Sequence, residues 1–230
     1  VSLSANNLLS PFCIVLTHIP DTQPIPDIFA HLNEMRPQLC EVLSQFAQVP
    51  KTAWFREVLL CLLTPQSSPY HAEAAMVKLQ EMGFFCGRLS ESEVAQVLRT
   101  PAQYVRFHRV KAARLMRALD QRDEIEQLLS AGLSANEERD RLRGLVSGLG
   151  MKESSHALRN IGRCGLSILD RHILRALCDC GMLAEMPSSI SDRRYREIES
   201  LFLSLADKLN ESPDVLDLYL WARATGSVFK

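Results

Sequence analysis

The chain has 230 residues, 47% of them hydrophobic, and a formal net charge of -1 at pH 7. That much apolar material can bury a substantial core, as one domain or two small ones, which excludes wholesale disorder. A near-neutral charge gives no global attraction to a polyanion, so any nucleic-acid binding must rest on local patches or backbone amides.

The first stretch, Leu8 to Ile19, comes nearest to a membrane span. It is broken by Ser10, Pro11, Thr17 and His18, and falls short of the 18 to 20 residues of a membrane span. It lacks a basic leader and a small-residue cleavage site, and the chain opens on Val1, so the start reads as a trimmed or processed end. Thr17 to Pro26 is rich in proline and reads as extended surface chain. From Pro26 onward strand signals are scarce and apolar residues recur at helical spacing. The pattern predicts helices at about 26–48, 51–64, 69–82, 90–98, 101–119, 121–130, 134–146, 151–161, 170–180, 191–209 and 213–224. Ser90 with Glu93 and Ser134 with Glu137 form capping boxes, while Thr100-Pro101 and Ser212-Pro213 place a cap before a first-turn proline. Eleven short helices with short links predict an all-α array rather than a long bundle.

Seven cysteines (13, 40, 61, 86, 164, 178 and 180) are an odd number in a chain too long to need staples, so free thiols in a reducing compartment are expected. Cys178-Asp179-Cys180 has no second pair at a spacing that would make a zinc site. Between Arg99 and Leu119 lie six Lys or Arg and no Asp or Glu. Arg106, Arg109 and Arg117 fall near one side of the predicted helix, with Lys111 and Arg114 as further cations. This face either follows phosphates or is simply solvated.

The richest segment is Leu145-Val146-Ser147-Gly148-Leu149-Gly150-Met151-Lys152, between two predicted helices. Gly148 and Gly150 flank one apolar residue, as a tight hairpin requires where the backbone comes close to something. The amides that follow open a helix, and a helix N-terminus attracts anions. By itself the pair also fits an ordinary helix-helix turn. Lys152 sharpens it: a cation in a first helical turn opposes the macrodipole, which favours the free, nucleophilic amine. Asp170, eighteen residues later, supplies an anion that can orient the amine and stabilise developing positive charge.

Gly148-Leu149-Gly150-Met151-Lys152 followed by Ile168-Leu169-Asp170-Arg171-His172 resembles the helix-hairpin-helix DNA glycosylases. Gly150 to Gly162, Asp170 to Arg175, Trp54-Phe55-Arg56-Glu57 and the closing Leu218 to Lys230 resemble, within that superfamily, the archaeal-type 8-oxoguanine DNA glycosylase/AP lyases. The resemblance covers about residue 50 to the C-terminus. It implies two helical lobes with a DNA-binding cleft between them: a barrel lobe at 52–163 carrying the hairpin, and a second lobe from 1–51 plus 164–230. It implies that Lys152 is the nucleophile and Schiff-base former, and that Asp170 stabilises the transition state, the two facing each other at the seam. The hairpin amides at Gly148 and Gly150 would hold a phosphate, with His172 as a further phosphate contact or a structural histidine.

The same resemblance makes Gln66, in Leu63 to Ser68, a wedge that fills the hole left by an extruded nucleotide; an amide suits this by offering both donor and acceptor. Pro65 stands beside it where many relatives have a small residue. Phe107 and Trp221 become faces of a base pocket, although aromatics of this kind often pack in cores. Lys230, with its terminal carboxylate, becomes the reader of the damaged base; composition alone makes it a frayed end. The implied partner is double-stranded DNA containing oxidised guanine, met by an intracellular monomer without a membrane, metal or organic cofactor. Two other functions stay open: a glycosylase for oxidised pyrimidines, and a helix-hairpin-helix module that binds DNA without cutting it.

Overall fold

The structure, a computed structural model, describes residues 27–226. Lys230 and the stretch before Asp27 lie outside them, so the pocket role of Lys230, the extended segment at 17–26 and Cys13 are not addressed by it. Among the described residues there are eleven α-helices and no strand: α1 Leu32–Ala47, α2 Lys51–Leu63, α3 Pro69–Glu81, α4 Glu91–Arg99, α5 His108–Asp120, α6 Arg122–Leu129, α7 Ala135–Leu145, α8 Met151–Asn160, α9 Arg171–Asp179, α10 Asp192–Lys208 and α11 Pro213–Thr225.

Three of the four caps read from the sequence form; the fourth, Thr100, donates its hydroxyl back to the Gln96 carbonyl instead. Ser90 Oγ accepts from the Glu93 amide while Glu93 Oε2 accepts from the Ser90 amide, and Ser134 and Glu137 repeat the exchange. Ser212 accepts from the Asp214 amide ahead of α11. Two elements depart from the prediction. The helix expected from 26 begins as a 3-10 turn at Asp27–Phe29, and α1 follows only from Leu32; the tighter turn carries Phe29 and Leu32, both buried, toward one side. The helix expected at 101–119 is split. Pro101–Gln103 forms only a 3-10 turn, the Val105 amide bonds back to the Leu98 carbonyl, and Phe107 is left-handed at φ +59°, so α5 starts at His108.

Two hydrophobic clusters define two helical lobes. One runs from Phe55 to Leu166 and draws on α2 to α8; the other joins α1 to α9, α10 and α11. Met151, at the start of α8, leaves the first cluster and packs in the second beside Leu169 and Ile173. Lys152 and Asp170, the neighbours of Met151 and Leu169, are thereby carried to the seam.

Buried polar groups cross that seam. Arg139 of α7 is fully buried and donates to both carboxylate oxygens of Glu199 of α10, at 2.5 and 2.8 Å. Glu199 also accepts from the amide and hydroxyl of Ser167. Arg159 of α8 pairs with Asp217 of α11 at 3.3 Å. Removing one member of a buried pair leaves an uncompensated charge, at a cost of about 3–5 kcal/mol. Glu199→Ala should therefore lower the unfolding free energy by about that much in urea titration; a loss under about 1 kcal/mol would show that the pair does not tie the lobes.

Candidate active site

The hairpin between α7 and α8 is built on its glycines. Gly148 has φ +99°, and a Cβ there would lie 2.5 Å from Arg114 Cδ, so the turn needs a residue without a side chain. Leu149 between the glycines is buried and anchors the loop. Gly150 is the N-cap of α8, and its amide donates to Glu153 Oε2 at 3.3 Å. The amides of Gly148, Met151 and Lys152 make no hydrogen bond to another described residue. They form a set of donors without a protein acceptor at the positive end of a helix, a geometry suited to a phosphate.

Lys152 lies in the first turn of α8, with its side chain about a third exposed (36%). Its ion partner is Glu153, Nζ to Oε1 at 3.4 Å. No ion pair within 4 Å joins Lys152 to Asp170 among the described residues. Asp170 is the N-cap of α9, and one oxygen, Oδ1, accepts from the amides of His172 at 2.7 Å and Ile173 at 3.0 Å. Among the described residues no hydrogen bond engages Oδ2, so one face of the half-buried carboxylate stays free.

The segment that delivers Asp170 is held from behind. Asp214 and Asp217 of α11 accept from the amides of Gly165 and Ile168, each at 3.0 Å, and Tyr195 Oη accepts from the Leu169 amide while donating to the Ser167 carbonyl. Burial pushes the Asp217 carboxyl up to about 7, with Arg159 opposing the rise. One turn after Lys152, His156 is held well below the ordinary histidine value by burial and then by the charges of Arg159 and Lys152, which keeps its imidazole neutral.

Elsewhere in the barrel lobe, Gln66 and Phe107 share an unusual feature. They are two of the three non-glycine residues with positive φ among the described residues, at +54° and +59°. Such backbone conformations cost energy and are held only by their surroundings. Both side chains are exposed, Phe107 by half. Arg106 stacks on the Phe107 ring, Cζ 4.9 Å from its centroid. Arg106 and Arg109 are exposed and line an open groove of about 570 Å³ with Tyr104, Phe107 and Val110. A second groove, of about 630 Å³, runs between α4 and α5 past Arg99, His108 and Arg109.

Lys111, grouped in the sequence with this cationic face, does not belong to it, and Arg114 is half-buried. Lys111 is 2% exposed and Arg114 lies against Gly148. Position 111 shares the inward face of α5 with Leu115 and Ala118, four and seven residues on, and that spacing carries it into the core. His172 is half-buried; its amide is spent on Asp170 and its Nε2 accepts from Arg171 at 3.3 Å. Trp221, near the end of α11, is half-buried on the second lobe. The Trp54 to Glu57 motif is structural: Trp54 Nε1 donates to the Val49 carbonyl, Arg163 stacks on its ring, and Glu57 accepts from Asn160.

Sequence reading missed Glu153 and the carboxylates behind Asp170, and it put Lys111 on the cationic face rather than in the core. Asp214 and Asp217 had a signal: they stand in a helix otherwise apolar from Val215 to Leu220, where a carboxylate must be paired. Among the described residues no three His, Cys, Asp or Glu side chains converge as a metal site requires, and no helix is long and apolar enough to cross a membrane.

Two helical lobes, a glycine hairpin opening a helix on a lysine, and an aspartate capping the next helix define a helix-hairpin-helix DNA glycosylase. The 8-oxoguanine DNA glycosylase family profile matches residues 38–211. The chain belongs to that family. It is 36% identical over 202 residues to an 8-oxoguanine DNA glycosylase/AP lyase of Metallosphaera sedula, covering 85% of this chain and 95% of that one. It is 37% identical over 176 residues to one of Korarchaeum cryptofilum, covering 76% and 82%. In structure it is similar, with a TM-score of 0.78 and 28% identity, to the Methanocaldococcus jannaschii 8-oxoguanine glycosylase/lyase in complex with a 15mer DNA containing 8-oxoguanine, over 89% of this chain and 98% of that one.

Proposed function

We propose that this chain excises 8-oxoguanine from duplex DNA and then nicks the strand, using Lys152 as a covalent catalyst. The observation that supports this reading is the place of Lys152 in the chain: it follows directly on the unbonded hairpin amides, in a helix whose first residue, Met151, packs in the same cluster as Leu169 beside Asp170. A phosphate held by the amides sets the sugar beside the amine. The neutral Nζ attacks C1′, the glycosidic C1′–N9 bond breaks, and the base leaves with its electron pair and gains a proton. Opening of the sugar ring gives the imine. Loss of a C2′ proton then breaks the C3′–O bond, releasing the 3′ phosphate ester, and water returns the amine.

Asp170 stabilises the cationic character that develops at C1′. Its two amide bonds fix the carboxylate, so little reorganisation is needed as charge appears. The extruded base would lie between Phe107 and Trp221, with Lys230 reading it, while Gln66 fills the vacated stack. Arg106 and Arg109 would follow the backbone beside the hairpin, supplying attraction that the net charge of -1 does not. We assign the barrel lobe to 52–163 and the second lobe to the remainder, and read the chain as a monomer working where the genome is.

Assays on duplexes carrying 8-oxoguanine, thymine glycol or no lesion test this. Excision and nicking of the first alone is the expected result. Preference for thymine glycol would make the chain a pyrimidine-lesion enzyme, and binding without cleavage would make it an inert DNA-binding module.

A further inference from the structure

We propose that Lys111 is a positioning residue for base extrusion: its buried ammonium locks the loop carrying Gln66 to the turn carrying Phe107, so that the two act as one rigid unit. The proposal rests on the wedge and pocket roles given to Gln66 and Phe107 above.

Three bonds make the lock. Lys111 Nζ donates to the Leu63 carbonyl at 2.7 Å, the Pro65 carbonyl at 2.7 Å and Ser67 Oγ at 3.2 Å. These acceptors flank Gln66 on both sides. Ser67 Oγ in turn accepts from the Arg106 amide at 3.0 Å, which ties the same loop to the residue before Phe107. One cation thus fixes the two loops whose exposed residues hold left-handed backbones. Helix C-termini are ordinarily closed by glycine, water or a surface cation. Burying an ammonium carries a large desolvation cost before its bonds are counted, more than is needed merely to end α2. What the ammonium adds is rigidity at a point that must force a base pair apart.

The helix extends the lock toward the chemistry. Arg114, one turn after Lys111 on α5, lies against Gly148 of the hairpin, so α5 braces the wedge loop at one end and the phosphate cradle at the other. A wedge free to move would lose the geometry that holds the strand open. Displacements of about 1 Å at such distances can cost on the order of 100-fold in rate.

Protonation gives a readout that a purely structural lysine would not move. Burial, and then the Arg114 charge on the same helix, bring the Lys111 ammonium down to about 8; Glu153 of α8 opposes them, and the α2–α3 loop presents only neutral oxygens. The lock is complete below that pH. Above it, a neutral amine has two N–H donors for three acceptors, and its lone pair faces an oxygen. Because the folded chain then holds fewer protons at this site than the unfolded chain, the contribution of Lys111 to global stability rises between about 8 and 10.5. Its titration would therefore weaken extrusion without unfolding the protein.

The test measures single-turnover 8-oxoguanine excision in duplex DNA against β-elimination at an abasic site in single-stranded DNA, where no partner strand is held apart. It uses the full chain, Lys111→Met, Ser67→Ala and Gln66→Ala, each checked for folding by urea titration. Lys111→Met should lose roughly 10- to 100-fold on the duplex and less than about 3-fold on the abasic single strand. Ser67→Ala should shift the same ratio by a smaller factor, and it decides the matter if Lys111→Met does not fold. In the unaltered chain the ratio should fall as pH rises through about 8, and in Lys111→Met it should be flat across that range. Equal losses on both substrates, or a pH profile unchanged by Lys111→Met, would overturn the proposal while a selective loss in Gln66→Ala keeps the wedge. No selective loss in Gln66→Ala would instead overturn the wedge reading, and the lock with it.

Discussion

Lys152→Gln should abolish both base excision and strand cleavage on an 8-oxoguanine duplex, with rates falling at least ~10³-fold, while damaged-DNA binding changes by less than about tenfold. The two halves of that result come from different atoms. The amine is the only group in the substitution that can form a C1′–N bond, and an amide nitrogen has no available lone pair for it. The phosphate cradle is backbone: the unbonded amides of Gly148 and Met151 remain, and Glu153 still caps the Gly150 amide. The 3.4 Å ion pair with Glu153 disappears, but Lys152 is part-exposed and such pairs contribute little to stability. Single-turnover cleavage and a binding titration on the same duplex measure both. Cleavage within tenfold of the unaltered chain would remove Lys152 from the mechanism; lost binding would place it in the cradle instead.

Asp170→Asn should reduce excision by roughly 10²- to 10³-fold and leave the fold nearly as stable as before. Asn is as good an N-cap as Asp, since its carbonyl oxygen can accept the same amide bonds from His172 and Ile173. What disappears is the negative charge on the side that Oδ2 leaves open. Asp170→Ala separates the contributions, because it loses the cap as well, at a further cost of about 1 kcal/mol in stability. Parallel rate and urea-unfolding measurements on both variants check this. An Asn variant that is slow only in proportion to lost stability would make Asp170 a structural cap.

The sequence carried the helices far better than it carried their environment. Capping boxes at Ser90 and Ser134 are local devices whose partners lie three residues away, so their positions could be read directly. The hairpin was legible for the same reason: Gly148 and Gly150 report backbone constraints that only those positions feel. Phe107 broke the pattern. A left-handed aromatic has no local sequence signature, and the bonds that hold the two residues before it, Val105 to the Leu98 carbonyl and Arg106 to Ser67 Oγ, reach back along the chain, the second across 39 positions. Lys111 was misread for a related reason: a lysine on a basic stretch looks solvated unless the helical face of Leu115 and Ala118 is followed back to it. The support behind Asp170 depends on pairs such as Ile168 with Asp217, which only the packing of α11 on α9 brings together.

Borohydride trapping on an 8-oxoguanine duplex tests the central claim most directly, because it captures the imine itself and reports where it formed. The unaltered chain should yield a covalent protein–DNA adduct whose proteolysis places the modification on Lys152, and Lys152→Gln should yield none. An adduct mapped to any other residue, or undiminished trapping in the Lys152→Gln variant, would contradict the account.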